Sequence, residues 1–275
     1  IEYADMQLIC EVYQVMRDAL GMSAEQVSKV FKEWNQGILN SYLMEISAEV
    51  LATKDSETGL PLVDVILDKA GQKGTGLWTA VSSLELGCPA PTISEAVFAR
   101  SMSTLKDQRV LASTLLSGPV REHCTNQTAE QMIKQLHEAL YCAKICVYAQ
   151  GFDLMKTAAA EHGWQLNFAE IAKIWRAGCI IRAVFLQSIT EAYERNDDLQ
   201  NLLLDPFFSK QISVNQMNWR RAVAEARRAP RAGGAVPARR LAQRHRSGRD
   251  RGLSATAFCR RRPATHCSRQ GPAVS

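Results

Sequence analysis

The 275-residue sequence has no run of about eighteen or more uncharged apolar residues, which excludes a hydrophobic spanning helix. Its opening string IEYADMQLIC has two acids and no basic residue, so no secretory signal is visible; a start at Ile1 in place of Met reads as a cut N-terminus. The eight cysteines contain no C-x-x-C pair, and no histidine stands at ligand spacing from them, so neither a zinc site nor a disulfide framework is expected. Cys142 and Cys146 are four residues apart and read as small hydrophobes on one helix face, which suits a reducing, cytoplasmic setting. No alternating strand runs separated by helices occur, so a βαβ nucleotide-binding unit is not expected.

Lysine is absent from residues 227–275, where thirteen arginines and a single acid, Asp250, give +12. The preceding 226 residues carry −7, so the overall +5 joins two unlike compositions. The arginine-rich end admits two readings. One is a basic tail for nucleic acid or a membrane surface; the other is GC-rich DNA translated out of frame. Either way too little apolar surface is present to offset ordering entropy, so this end is expected to be disordered. No nucleic-acid or membrane partner is expected for the chain as a whole.

What is present, over residues 1–226, is helix after helix, and the expected fold is all-α. Leu8, Ile9, Val12, Tyr13, Val15, Met16 and Leu20 keep a 3.6-type spacing, and Gly21 comes next as a helix terminator. Ser23 with Gln26, and Thr128 with Gln131, read as capping boxes. The second opens a helix of about thirty residues whose apolar positions cover more than one stripe, so it is expected to be both central in its domain and buried against a second copy. Thr92 and Asn167 are candidate caps, residues 62–70 are expected to form a short helix ended by Gly71, and residues 180–195 another helix.

The sharpest local feature is I-L-D-K-A-G-Q-K-G-T-G-L-W, residues 66–78. A helix end followed by a glycine-rich turn exposes backbone N–H groups; Lys73 adds a cation, Thr75 a hydroxyl, and Trp78 should anchor the next segment. Such a turn can hold an oxyanion. It lacks the P-loop spacing, and an ordinary helix–helix connection is the bland alternative.

The string D-x-x-G-Q-K-G-T-G-x-W resembles the signature of the decarboxylating 6-phosphogluconate dehydrogenases of the pentose phosphate pathway. The resemblance extends in register to about residue 226, through I-E-Y-A-D-M-Q-L-I (1–9), E-A-V-F-A-R (95–100), L-K-D-Q-R (105–109), W-R-A-G-C-I-I-R (175–182), D-P-F-F (205–208) and N-W-R (218–220). Many members carry a basic residue where this chain has Leu77. The resemblance implies a helical substrate-binding and dimerisation domain, NADP as coenzyme, no metal, 6-phosphogluconate as substrate and a homodimer. It implies that Glu2 donates a proton to the enediol, that Tyr3 and Arg100 hold the substrate phosphate, and that Lys73 and Thr75 contact substrate. Taken without it, Glu2 is a solvated dipole partner, Tyr3 core, and Arg100 a surface salt bridge; a forked guanidinium does, however, suit two phosphate oxygens.

The family's catalytic lysine and His-Asn pair would precede Ile1, as would its Rossmann domain, so these 275 residues are expected to be inactive alone. Its C-terminal arm, with a string like Q-R-D-Y-F-G-A-H, is not found in residues 227–275, and neither His245 nor His266 takes over its role. Losing that arm should weaken the dimer. Two other readings stay open: a non-catalytic helical interaction module, and a related β-hydroxyacid dehydrogenase.

Overall fold

The computed structural model describes residues 1–116 and 127–228. The expectation for the arginine-rich end lies outside the described residues. Eleven α-helices are described: α1 (Glu2–Asp18), α2 (Ala24–Trp34), α3 (Tyr42–Ala52), α4 (Leu62–Val65), α5 (Thr75–Glu85), α6 (Pro91–Thr104), α7 (Lys106–Leu115), α8 (Ala129–His162), α9 (Phe168–Ile174), α10 (Leu186–Arg195) and α11 (Pro206–Arg228). A 3-10 turn, Leu202–Leu204, precedes α11. Among the described residues there is no strand, only two isolated bridges, Ser41 with Ala183 and Lys54 with Pro61. The all-α expectation is met.

Both capping boxes form as read. Ser23 accepts from the Gln26 N–H while the Gln26 side chain accepts from the Ser23 N–H, and Thr128 and Gln131 do the same. Asn167 caps α9 by accepting from the Glu170 N–H. Thr92 does not cap. Pro91 occupies the first position of α6, and the Thr92 N–H is instead taken by the Gln150 side chain of α8; proline's fixed φ starts the helix one step earlier.

The 34-residue α8 is the axis of the fold. It buries Met132, Leu136, Leu140, Ile145, Tyr148 and Phe152 among others, and α11 and α1 lie along it. At its far end Phe152 stacks on Tyr193 with centroids 5.3 Å apart and meets Trp175 edge-on at 5.4 Å. Gly151 leaves room for the start of α1: a Cβ there would stand 2.4 Å from the Ile1 Cδ1, so the Ile1 side chain would have to shift. This seats the first turn of α1, and with it Glu2 and Tyr3.

Residues 180–185 leave the expected helix. The Tyr42 N–H donates to the Arg182 carbonyl and the Val184 N–H to the Asn40 carbonyl, so this stretch pairs with the entry to α3 and α10 starts only at Leu186. Tertiary pairing here overrides helical propensity.

Cys142 and Cys146 lie in the α8 core. Burial pushes the Cys142 thiol up to about 12, with Glu138 adding to it, and pushes Cys146 well above the usual thiol range. In the folded chain at mildly alkaline pH, Cys142 should therefore react with a thiol reagent roughly a thousandfold more slowly than an ordinary exposed cysteine. Mass spectrometry after brief labelling checks this; comparable labelling of Cys142 and the exposed Cys10 is the contrary result.

Candidate functional site

The stretch expected as a helix over 62–70 forms only one helical turn, ending at Val65. From Ile66 the chain runs as a loop because side chains of α6 and α7 take its polar groups. Lys106 and Arg109 of α7 reach the two carboxylate oxygens of Asp68, the arginine at 3.1 Å. Arg109 also donates to the carbonyls of Asp68 at 3.0 Å and of Ser103 at 2.9 Å. The Ala70 N–H donates to the Ser103 hydroxyl at 2.8 Å. Burial pushes the Asp68 carboxyl upward, but Lys106 and Arg109 more than offset this and hold it below the usual carboxylate range.

Gly71 ends no helix, because α4 already stops at Val65; the positive φ of this turn, +99°, belongs to Gly74, which leads into α5. No side chain caps α5, so its N-cap leaves the N–H groups of the first turn without a side-chain acceptor, and Lys73 and Thr75 beside them are exposed. Trp78 does not anchor the rest of α5. Its ring folds back over Gly74 and remains two-thirds exposed.

Arg100, on α6, arrives at this turn from 29 residues away. Its Nη1 donates to the Gly71 carbonyl at 2.6 Å, and its Nη2 lies 3.1 Å from the Met6 sulfur. Its guanidinium carbon sits 3.6 Å from the centroid of the Tyr3 ring, a close cation–π stack. Tyr3 in turn rests on Gly76 of α5: a Cβ at that glycine would lie 2.6 Å from the ring. The structure thus brings Tyr3, Arg100 and the turn carrying Lys73 and Thr75 to one place. Glu2, half-buried, is the residue before Tyr3 on the first turn of α1; among the described residues no hydrogen bond ties it to the turn.

Chemically, these groups outline an anion site. They offer a planar guanidinium held flat by an aromatic ring, an exposed lysine, a hydroxyl and uncapped helix-terminal N–H groups. Sequence reasoning did not assign Met6, Asp68, Ser103, Lys106 or Arg109 to it. Met6, Asp68, Lys106 and Arg109 stood in the family strings, but no spacing rule links Asp68 to an arginine 41 positions away.

Residues 1–242 match the family model described as 6-phosphogluconate dehydrogenase, C-terminal domain. The NADP(+)-dependent, decarboxylating 6-phosphogluconate dehydrogenase of Bacillus subtilis is 54% identical over 226 residues, 82% of this chain and 48% of the relative. The human decarboxylating 6-phosphogluconate dehydrogenase is 50% identical over 224 residues, again 82% of this chain and 46% of the relative. A solved Plasmodium falciparum 6-phosphogluconate dehydrogenase, studied in apo form and with NADP+ or 6-phosphogluconate, superposes with a TM-score of 0.81 at 43% identity. That likeness covers 88% of this chain and 51% of the other. The chain spans about half the length of the relatives it matches.

Proposed function

Because the chain belongs to the 6-phosphogluconate dehydrogenase family through its C-terminal domain, we propose that it is the phosphosugar-binding half of an NADP-dependent, decarboxylating 6-phosphogluconate dehydrogenase. The observation that carries this reading is the convergence of Arg100, Tyr3 and the 71–75 turn. Arg100 would hold the phosphate through its remaining N–H groups, Tyr3 would donate its hydroxyl, and Lys73 and Thr75 would contact the sugar. Glu2, one residue before Tyr3, would return a proton to the enediol left after loss of carbon dioxide.

The coenzyme supplies the hydride acceptor when bound. Among the described residues no strand–turn–helix unit offers its pyrophosphate a cradle, so these residues alone do not fit it. These 275 residues by themselves should bind 6-phosphogluconate without forming NADPH. Residues 1–226 would serve as the helical substrate and dimerisation domain. Support for a homodimer comes from large apolar side chains left exposed, among them Trp78 and Leu84 on α5, Phe98 and Met102 on α6, and Leu111 and Leu115 on α7. Among the described residues no helix is long and apolar enough to cross a membrane; a cytoplasmic setting fits the relatives' pathway.

Calorimetric titration with 6-phosphogluconate tests the reading. Arg100→Met should weaken binding by about tenfold to a hundredfold, since charge-assisted hydrogen bonds contribute about 1.5–3 kcal/mol. Arg100→Lys should recover only part, because an ammonium lacks the fork. Equal affinity in all three chains, or none in the unaltered one, would remove the phosphosugar assignment and leave an interaction module.

A further inference from the structure

We infer that Arg109, buried in the first turn of α7, is a positioning residue: with Asp68 and Ser103 it welds the phosphosugar turn to α7, so the turn is shaped only while α7 is seated. This role rests on the phosphosugar reading and extends it to residues that touch no substrate.

The observation behind it is how the polar groups of residues 68–71 are used. The Asp68 carbonyl accepts from Arg109, the Ala70 N–H donates to Ser103, and the Gly71 carbonyl accepts from Arg100. The Asp68 carboxylate is shared between Lys106 and Arg109. The conformation of this stretch is therefore imposed by side chains from the end of α6 and the start of α7, not by the loop's own backbone pairing. Lys73 comes two residues after Gly71, and where its amide and side chain lie relative to Arg100 is decided by where 68–71 is pinned.

The seating of α7 is equally unusual. Arg109 is its one buried residue among those described, so α7 is attached to the domain through a charged clamp and not through an apolar face. Its leucines at 111 and 115 are left exposed. An element with few buried apolar contacts sits at the low-stability end of a structure and opens locally at small cost. If the clamp releases, α7 and the turn lose order together. Arg109 differs from Lys106, which reaches the same carboxylate: its fork also holds two carbonyls, which fixes direction as well as distance.

A purely structural clamp would stabilise the domain without affecting ligand affinity; a positioning clamp changes affinity while the core stays intact. The experiment compares the unaltered chain with Arg109→Met, Arg109→Lys and Ser103→Ala. It reads 6-phosphogluconate affinity by calorimetry, hydrogen exchange at amides 69–74 without ligand, and the thermal midpoint. Arg109→Met should weaken binding on the order of tenfold to a hundredfold, the cost of displacing contact groups by about an ångström. Exchange at 69–74 should rise while exchange in α8 stays slow. Arg109→Lys should fall between, because it keeps the charge and loses the fork. Ser103→Ala, which removes the Ala70 bond without touching any charge, should shift affinity in the same direction. Unchanged affinity in Arg109→Met against a binding parent overturns the positioning role alone. Unchanged exchange at 69–74 overturns the clamp itself. A parent chain that binds no phosphosugar overturns the reading of the site, and the affinity half of this inference falls with it.

Discussion

Replacing Lys144 with alanine should lower the stability of the folded chain by about 3–5 kcal/mol, the usual cost of removing one partner from a buried ion pair. Lys144 is fully buried in α8 and Asp5 is 1% exposed in α1. The ammonium straddles the carboxylate, 2.8 Å from Oδ1 and 2.9 Å from Oδ2, hydrogen-bonding the second and holding the first by charge. It also lies 3.4 Å from the Ser41 hydroxyl, which caps α3 by accepting from the Met44 N–H. Three helices thus meet at one cation. Without it Asp5 is left as an unpaired buried carboxylate, and a typical domain has only about 5–15 kcal/mol of stability in all. The loss is not the net worth of the pair. Replacing both partners, with Lys144→Met and Asp5→Leu together, should recover most of it, because well-packed apolar side chains often substitute for a buried pair with little change. Urea denaturation of the single and double variants decides the matter. A loss below about 1 kcal/mol for Lys144→Ala would place the pair in contact with water, against its burial.

That pair was invisible in the sequence, where a lysine in a long helix reads as a solvated position. Nothing local marks Lys144 as inward, since its partner lies 139 residues away. The bonds of Ser23 and Thr128, by contrast, close within three residues, so the sequence states both ends of each interaction, and both boxes form as read. At two of the places where the structure departs from the reading, a distant group has displaced a local one. Residues 66–70 would continue a helix on their own, but Ser103, Lys106 and Arg109 take their polar groups. Residues 180–185 would join α10, but Asn40 and Tyr42 pair with their backbone. The candidate site shows the same division. The turn was legible from its glycines, lysine and threonine, whereas Arg100 and Tyr3 joined it only through the family resemblance. No periodicity places a guanidinium 29 residues downstream against the Gly71 carbonyl.

Gly76→Ala should abolish most phosphosugar binding while leaving the domain folded, and the reason lies in a contest between two known effects. Alanine inside a helix is favoured over glycine by up to about 1 kcal/mol, so in open space the change would stabilise α5. Here the new Cβ would stand 2.6 and 2.7 Å from two Tyr3 ring carbons and 3.1 Å from a Val97 methyl. Contacts under 3.0 Å are not tolerated, so either the ring or the helix must move. If the half-buried ring swings out, Arg100 loses the face that holds it 3.6 Å away, a contact worth about 0.5–2 kcal/mol, and the guanidinium is no longer pre-oriented. If α5 moves instead, Thr75 and the N–H groups of its first turn move with it, at an overpacking cost of about 1–3 kcal/mol. Both outlets spoil the anion site, so the direction of the binding change does not depend on which is taken. A fall of about tenfold or more in 6-phosphogluconate affinity is expected, with the larger thermal shift only if α5 yields. Pairing the change with Tyr3→Ala separates the outlets. Removing the ring relieves the clash, so the double variant should be more stable than the sum of its single changes implies, by a coupling of about 0.5–3 kcal/mol. Parental affinity in Gly76→Ala would mean that the ring and the glycine do not meet, and that Tyr3 does not set the position of Arg100.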